Sequence, residues 1–435
     1  MSQLYRLNEM LSSLVRHGAS FLERPSQGAT NPDDLIALCR KLLTTEGEPS
    51  GMVLAAQILN GYLAAPQDDR VAFFGLLATE FDLDPAPLRA ALDAHEAENT
   101  TETLAALIAA AEPPRQDLFR RLNTAPGGTA RIVDMRRDLL AASRQNHDLR
   151  RVDADLRHLL MSWFNRGFLI LQSIDWGTSA EVLEKIIAYE AVHQIASWDD
   201  LRRRLQPADR RCFGFFHPAL PREPLIFVEV ALTRGIPGSI GGLLAEDRAA
   251  IAADEADTAV FYSISNCQDG LKGISFGNSL IKQVVEDLSR DLPGLKTFVT
   301  LSPIPGLRRW LDQTGRVVPD DQPQLFQQMA ALYLLEARRG DGSPADPVAR
   351  FHLGNGAQIH AVHSGADLSE NGLAQSGGAM VNYLYNLPRI SRNLEAFITK
   401  GSIAASSEVR ALATEARRRD AQKAPASKAA DKDGG

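Results

Sequence analysis

The chain has 435 residues, 44% hydrophobic and 23% charged, with a formal net charge of −7, the balance of an ordinary folded protein of two or three domains. A mildly acidic chain with no basic block argues against nucleic acid as a main partner, and no run approaches the roughly 18 uninterrupted apolar residues of a membrane helix. The N-terminal stretch carries Arg6 and Glu9 and no apolar core. Cys39, Cys212 and Cys267 lie too far apart for a disulfide framework or a zinc spacing, so a reducing cytoplasm is expected.

Residues 1–163 read as a helical bundle domain. Alanine and leucine dominate, and apolar residues recur at helical spacing over Pro32 to Leu43, which Asn31 caps, and over Gly51 to Ala64 and Asp69 to Phe81. Leu88 to Ala111 and Gly128 to Trp163 continue the pattern, with breaks at Glu48-Pro49-Ser50-Gly51, Pro113-Pro114 and Pro126-Gly127-Gly128. His17, His95, His147 and His158 stand alone on charged helices, as solvated or packing residues do.

A second domain is assigned to residues 164–415 and a disordered tail to 416–435, where Lys, Arg, Ala and Asp show no apolar face. Gly167 to Gln172 suits a strand, and helices are predicted from Thr178 to Val192 and from Ser197 to Leu205. Strand signals follow over Cys212 to His217 and Leu225 to Leu232. The most informative stretch is Ala259 to Gly306. A strand over Ala259 to Ser265 leads into a glycine-punctuated loop, Gly270 to Asn278. A helix with apolar Leu280, Ile281, Val284, Val285 and Leu288 comes next, then a strand over Lys296 to Leu301. A loop of this kind at a helix start can present backbone N–H groups to an anion, and Lys272 could add a charge, although the loop matches neither a Walker nor a dinucleotide pattern. Taken alone, such a loop reads as structural about as readily as functional. Strands mixed with helices predict an α+β chain, the helical bundle being followed by a mixed sheet.

Three further positions suggest chemistry. Ser302 follows a strand in Ser302-Pro-Ile-Pro-Gly306, where its hydroxyl either faces a sheet end or bonds local backbone. His352 enters Gly354-Asn355-Gly356 and suits either proton transfer or half-buried packing. Tyr385, in Asn382-Tyr-Leu-Tyr385, reads locally as a packing aromatic, as does Tyr262. His360 and His363 are three apart, which puts them on opposite faces of a strand and argues against a metal pair. Glu223 and Glu229 are isolated carboxylates without an assigned role.

Together these stretches resemble the malonyl-CoA decarboxylase family. The resemblance is carried by Trp176 to Leu205, Arg211 to Leu232 and Phe261-Tyr-Ser-Ile-Ser265 with its loop. Leu301-Ser-Pro-Ile-Pro-Gly306, Phe351-His-Leu-Gly-Asn-Gly356 and Asn382-Tyr-Leu-Tyr385 complete the set, in the family's order. It implies a catalytic domain with a mixed sheet like that of GNAT acetyltransferases, whose strand, loop and helix hold the pyrophosphate and pantetheine of coenzyme A. Residue by residue, it makes Ser302 the active-site serine and His352 the proton donor, with Tyr385 lining the site. Lys272, Gly273, Ile274, Ser275, Phe276, Gly277 and Asn278 become the malonyl-CoA loop. Some relatives carry glutamate where this chain has Ser275, so no role for that glutamate carries over.

The implied reaction takes malonyl-CoA to acetyl-CoA and CO2 through an enolate held by backbone N–H groups of the loop. Ser302 would orient the carboxylate and His352 would protonate C2. The resemblance implies no cofactor beyond the coenzyme A of the substrate, no metal, and a homo-oligomer, tetramer or dimer. Lys272, Lys282, Arg308 and Arg309 are candidates for the phosphates. Two other readings share the fold: an acetyltransferase of the GNAT type, and a non-catalytic malonyl-CoA-binding regulator.

Overall fold

The computed structural model describes residues 30–274 and 280–423, which fall into two compact units. The first comprises the described residues through Leu169, together with His217–Pro221 and the described part of Gln268–Phe276. The second holds the described remainder.

The first unit is helical. Six helices, Pro32–Thr44, Glu48–Ala64, Gln67–Glu80, Pro114–Leu122, Gly128–Ala142 and Arg150–Trp163, bury one shared core. Leu35, Ile58, Phe73, Phe119, Met135 and Leu156 belong to it, and burying each such side chain contributes about 1.5–3 kcal/mol before entropy is counted. Asn31 caps the first helix, its side chain accepting from Asp34 N at 2.8 Å. The apolar run predicted over Leu88 to Ala111 is two helices, Pro85–Ala97 and Thr101–Ala110, because Thr100 and Thr103 form a reciprocal cap that starts a new helix. The long helix predicted from Gly128 likewise stops at Ala142 and restarts at Arg150.

Two short segments join this unit from beyond Leu169. His217 accompanies it because its ring packs on Phe164 at 4.7 Å and lies 3.1 Å from the Trp163 carbonyl. The loop around Gly270 is tied down by the buried Arg136, whose guanidinium donates to the carbonyls of Gly270 at 2.7 Å and Lys272 at 3.0 Å. A Cβ on Gly270 would lie 1.9 Å from the Val133 carbonyl oxygen, so only glycine fits there.

The second unit is built on an eight-stranded mixed sheet. Strands β1 (Ile170–Ile174), β2 (Arg210–Phe216), β3 (Ile226–Thr233) and β4 (Thr258–Asn266) form an antiparallel meander. The helix Leu280–Asp291 then carries the chain to β5 (Thr297–Thr300), which pairs parallel to β4. That helix buries Leu280, Ile281, Val284, Val285 and Leu288, the predicted stripe. The short β6 (Ser302–Pro303) and the longer β7 (Gln358–His363) both pair antiparallel with β8 (Met380–Leu384), which also meets β5 through Val299 and Leu384. Pairing of β4 with β5 ends at Phe261 and Thr300, while β4 runs on to Asn266 against β3 alone.

The helices Ala180–Tyr189 and Trp198–Leu205 pack with Cys212, Phe216 and Phe227 in one apolar cluster, and Ala231, Val260, Tyr262, Val299 and Met380 lie in another. The tail departs from expectation. A helix spans Ser407–Lys423, burying Val409, Ala413 and Ala416, with Arg417 paired to Glu336 and Arg316 to Asp420. Its packing surface is largely alanine, which carries little apolar signal in the sequence. Only residues 424–435 of the expected disordered tail lie outside the described chain.

Candidate active site

Strand β8 organises the site. Ser302, in β6, pairs with Val381 of β8, and Pro303 with Met380, which fixes the serine at the end of the β5 strand. The Ser302 hydroxyl donates to Thr300 Oγ1 at 2.8 Å, and Thr300 Oγ1 also accepts from the Tyr383 backbone N–H at 3.1 Å. Thr300 is therefore a post that holds the serine against β8.

His352 comes from the helix Pro347–Leu353, and its ring reaches both Ser302 and Tyr385. Nε2 lies 3.3 Å from Ser302 Oγ, and Nδ1 lies 2.8 Å from the Tyr385 hydroxyl. The imidazole stacks on Tyr383, and Phe261 meets Tyr385 edge-on at 6.4 Å. Ser302 is 6% exposed, and His352 and Tyr385 are each 3% exposed. Burial pushes the His352 imidazole down to about 3 and the Tyr385 phenol well above its ordinary range. At neutral pH the histidine is thus uncharged, with one ring nitrogen a donor and the other an acceptor. A consistent string has Tyr385 O–H donating to Nδ1, Nε2–H donating to Ser302 Oγ, and Ser302 O–H donating to Thr300. Such a string can deliver a proton at Nε2 and replace it at Nδ1.

The structure thus brings together Ser302, His352 and Tyr385. Lys272, Gly273 and Ile274 belong to the helical unit, and Ser275, Phe276, Gly277 and Asn278 lie outside the described residues. Among the other basic candidates, Lys282 is near Glu286 at 3.6 Å. Arg308 binds Asp320 at 2.6 Å and the Leu373 carbonyl at 2.7 Å. His363 bonds the Asn382 side chain, and among the described residues no group of three or more His, Cys, Asp or Glu is placed to hold a metal ion. No described helix is long and apolar enough to cross a membrane. Thr300 and Tyr383 were not singled out by the sequence, because their part depends on the pairing of β5 and β6 with β8. Their only local signal is proximity to Ser302 and Tyr385.

Comparison with known proteins bears on both units. The family described as malonyl-CoA decarboxylase C-terminal domain matches residues 167–327 and 319–423, and the malonyl-CoA decarboxylase N-terminal domain matches 81–164. The mitochondrial malonyl-CoA decarboxylase of the goose Anser anser anser is 33% identical over 348 residues, 68% of this chain and 69% of that protein. The mouse enzyme is 33% identical over 355 residues, 69% of this chain and 71% of that protein. The crystal structure of malonyl-CoA decarboxylase from Rhodopseudomonas palustris is 51% identical, with a TM-score of 0.83, covering 88% of this chain and 99% of that one. That from Cupriavidus metallidurans is 36% identical with a TM-score of 0.69, covering 88% and 99%.

Proposed function

The chain belongs to the malonyl-CoA decarboxylase family, a carbon–carbon lyase family, and from that membership we propose that it releases CO2 from malonyl-CoA with Ser302, His352 and Tyr385 as the reacting group. The observation that carries the assignment of residues is the hydrogen-bonded string from Tyr385 through His352 to Ser302.

In the reaction the C2–C3 bond of the malonyl group breaks, CO2 leaves, and the electron pair passes into the thioester as an enolate. One proton must then reach C2. Ser302 Oγ and His352 Nε2 lie side by side, so a malonyl group seated against both meets a hydroxyl that can orient its carboxylate and an N–H that can protonate C2. A thioester enolate is basic enough to take a proton from an uncharged imidazole. As Nε2–H is given up, Nδ1 takes the phenolic proton of Tyr385; after acetyl-CoA leaves, a proton from solvent enters at Nε2 and Nδ1 returns its own to Tyr385, which restores the starting tautomer. Burial favours this chemistry because fixed donors act more strongly where water is excluded. Contribution of the loop Lys272 to Asn278 to coenzyme A binding and to the enolate rests on the family resemblance.

The test is incubation of the purified protein with malonyl-CoA alone, following CO2 and acetyl-CoA for the wild type, Ser302→Ala and His352→Asn. Turnover in the wild type with a fall of about 10²-fold or more in both variants is the expected result. Wild-type rates in either variant would remove that residue from the mechanism.

A further inference from the structure

Ser302 and His352 are 50 residues apart and meet at only 3.3 Å, so some contact must hold their two segments in register. The serine's turn ends at Gly306, and the histidine's helix begins at Pro347. One side chain touches both. Asp346 is the N-cap of the helix, and its Oδ1 accepts from the Val348 and Ala349 N–H groups, each at 2.9 Å. Its Oδ2 accepts from the Gly306 N–H at 3.4 Å and faces the Tyr333 hydroxyl. The residue is 2% exposed, so these bonds do not compete with bulk water. Gly306 is confined to glycine by the same arrangement, since a Cβ there would lie 2.0 Å from the Tyr333 hydroxyl and 3.5 Å from Asp346 Oδ2.

We propose that Asp346 is a positioning residue for catalysis, one carboxylate oxygen fixing the helix that carries His352 and the other fixing the turn that carries Ser302. The proposal rests on the reading of those two residues as the reacting pair. Asp346 accepts from the Gly306, Val348 and Ala349 N–H groups. The turn is stiffened internally by Pro303 and Pro305, and Asp346 adds an anchor at its far end. The seven-residue helix is too short to be stable without its cap and tertiary packing. A displacement of about 1 Å between reacting groups can cost about 10²-fold in rate.

Asn and Ser cap a helix about as well as Asp, but neither offers a second anionic oxygen to Gly306. Asp346→Asn and Asp346→Ser should therefore fold while losing the link to the turn. In crystal structures of both variants, the Ser302 Oγ to His352 Nε2 spacing is expected to open beyond hydrogen-bond reach. kcat with malonyl-CoA should fall at least about tenfold, with KM held within about twofold. Tyr333→Phe, which leaves both backbone attachments in place, should keep wild-type kcat. An unchanged spacing in the Asn and Ser variants overturns the proposal whatever the rates show, as does a loss in Tyr333→Phe equal to theirs. A wild type that releases no CO2 overturns instead the reading of the reaction, and the spacing measurement still decides the role of Asp346.

Discussion

The imidazole of His352 lies face to face with the phenol ring of Tyr383, centroids 4.5 Å apart and planes inclined by 23°. The contact leaves both ring nitrogens at the edge, where Ser302 and Tyr385 meet them. Tyr383 thereby sets the rotation of the histidine, while its own hydroxyl is buried without a hydrogen-bond partner among the described residues. The ring, and not the hydroxyl, makes the contact with His352. Tyr383→Phe is expected to keep wild-type kcat and to be neutral or up to about 1 kcal/mol more stable, because it removes an unsatisfied buried group. Tyr383→Leu, which loses the flat face, should lower kcat about tenfold or more. Steady-state kinetics and thermal melts of the two variants check both statements.

The uncharged state of His352 has a kinetic signature. Burial alone pushes its imidazole down to about 3, so the free enzyme holds the neutral ring throughout the physiological range. If neutral His352 passes on a proton drawn from Tyr385, kcat/KM should be flat between about pH 5 and 8 as far as this residue is concerned. If an imidazolium were the acid, kcat/KM would fall about tenfold per pH unit across that range, because ever less of the free enzyme would be charged. Tyr385→Phe should lower kcat about 10²-fold with KM little changed, since it removes the source of the proton and not a binding contact. A pH–rate profile of wild type and Tyr385→Phe distinguishes the two schemes.

Much of this site was legible in the sequence, and the remainder has physical reasons. The strands of the second unit announce themselves because β3 and β4 are long β-branched and aromatic runs, and the helix Leu280–Asp291 because its apolar stripe is regular. Ser302, His352 and Tyr385 could be named through the family resemblance of their motifs, whereas local sequence alone read Ser302 and Tyr385 as structural and left His352 open. What joins them is pairing at long range. Thr300 and Tyr383 acquire their parts only through the register of β5 and β6 on β8, and Asp346 through a bond from Gly306, 40 residues away. The alanine face of the last helix was invisible for a different reason, since small apolar residues bury well yet scarcely raise a hydrophobic pattern.

Gly270 shows how one residue type can carry two meanings. In the sequence it is part of an anion-binding pattern, yet its Cα faces the Val133 carbonyl so closely that a Cβ would sit at 1.9 Å. Gly270→Ala must push backbone against backbone and is expected to cost at least about 3 kcal/mol. Gly273 has no described residue within 4 Å of its missing Cβ and only a positive φ of 79°, so Gly273→Ala should cost about 1–2 kcal/mol. Denaturant unfolding of the two variants gives the order directly, and equal losses would mean that Gly270 is not a packing position.

The carboxyl group of Glu229, fully buried on β3, offers a test in the folded core away from the chemistry. Its Oε2 receives one bond from Arg204 at 3.2 Å, while Oε1 has no partner among the described residues. Glu190, nearby, accepts from Ser263, Ser265 and the backbone of Val192 and His193. Burial first, and the charge of Glu190 second, push Glu229 up to about 8, although Arg204 opposes them. The folded protein therefore holds the proton where the unfolded chain, with a glutamate near 4.3, has lost it. The sign follows from proton uptake: stability from the neutral carboxyl is complete below the unfolded value and drains away as pH rises through about 8. Glu229→Gln has no such proton and keeps an acceptor for Arg204. Melting temperature of the wild type, measured relative to Glu229→Gln, is expected to fall steadily from pH 5 to 8, and the histidines, common to both proteins, cancel in the comparison. A difference that stays constant over that range would mean that Arg204 keeps Glu229 ionised throughout.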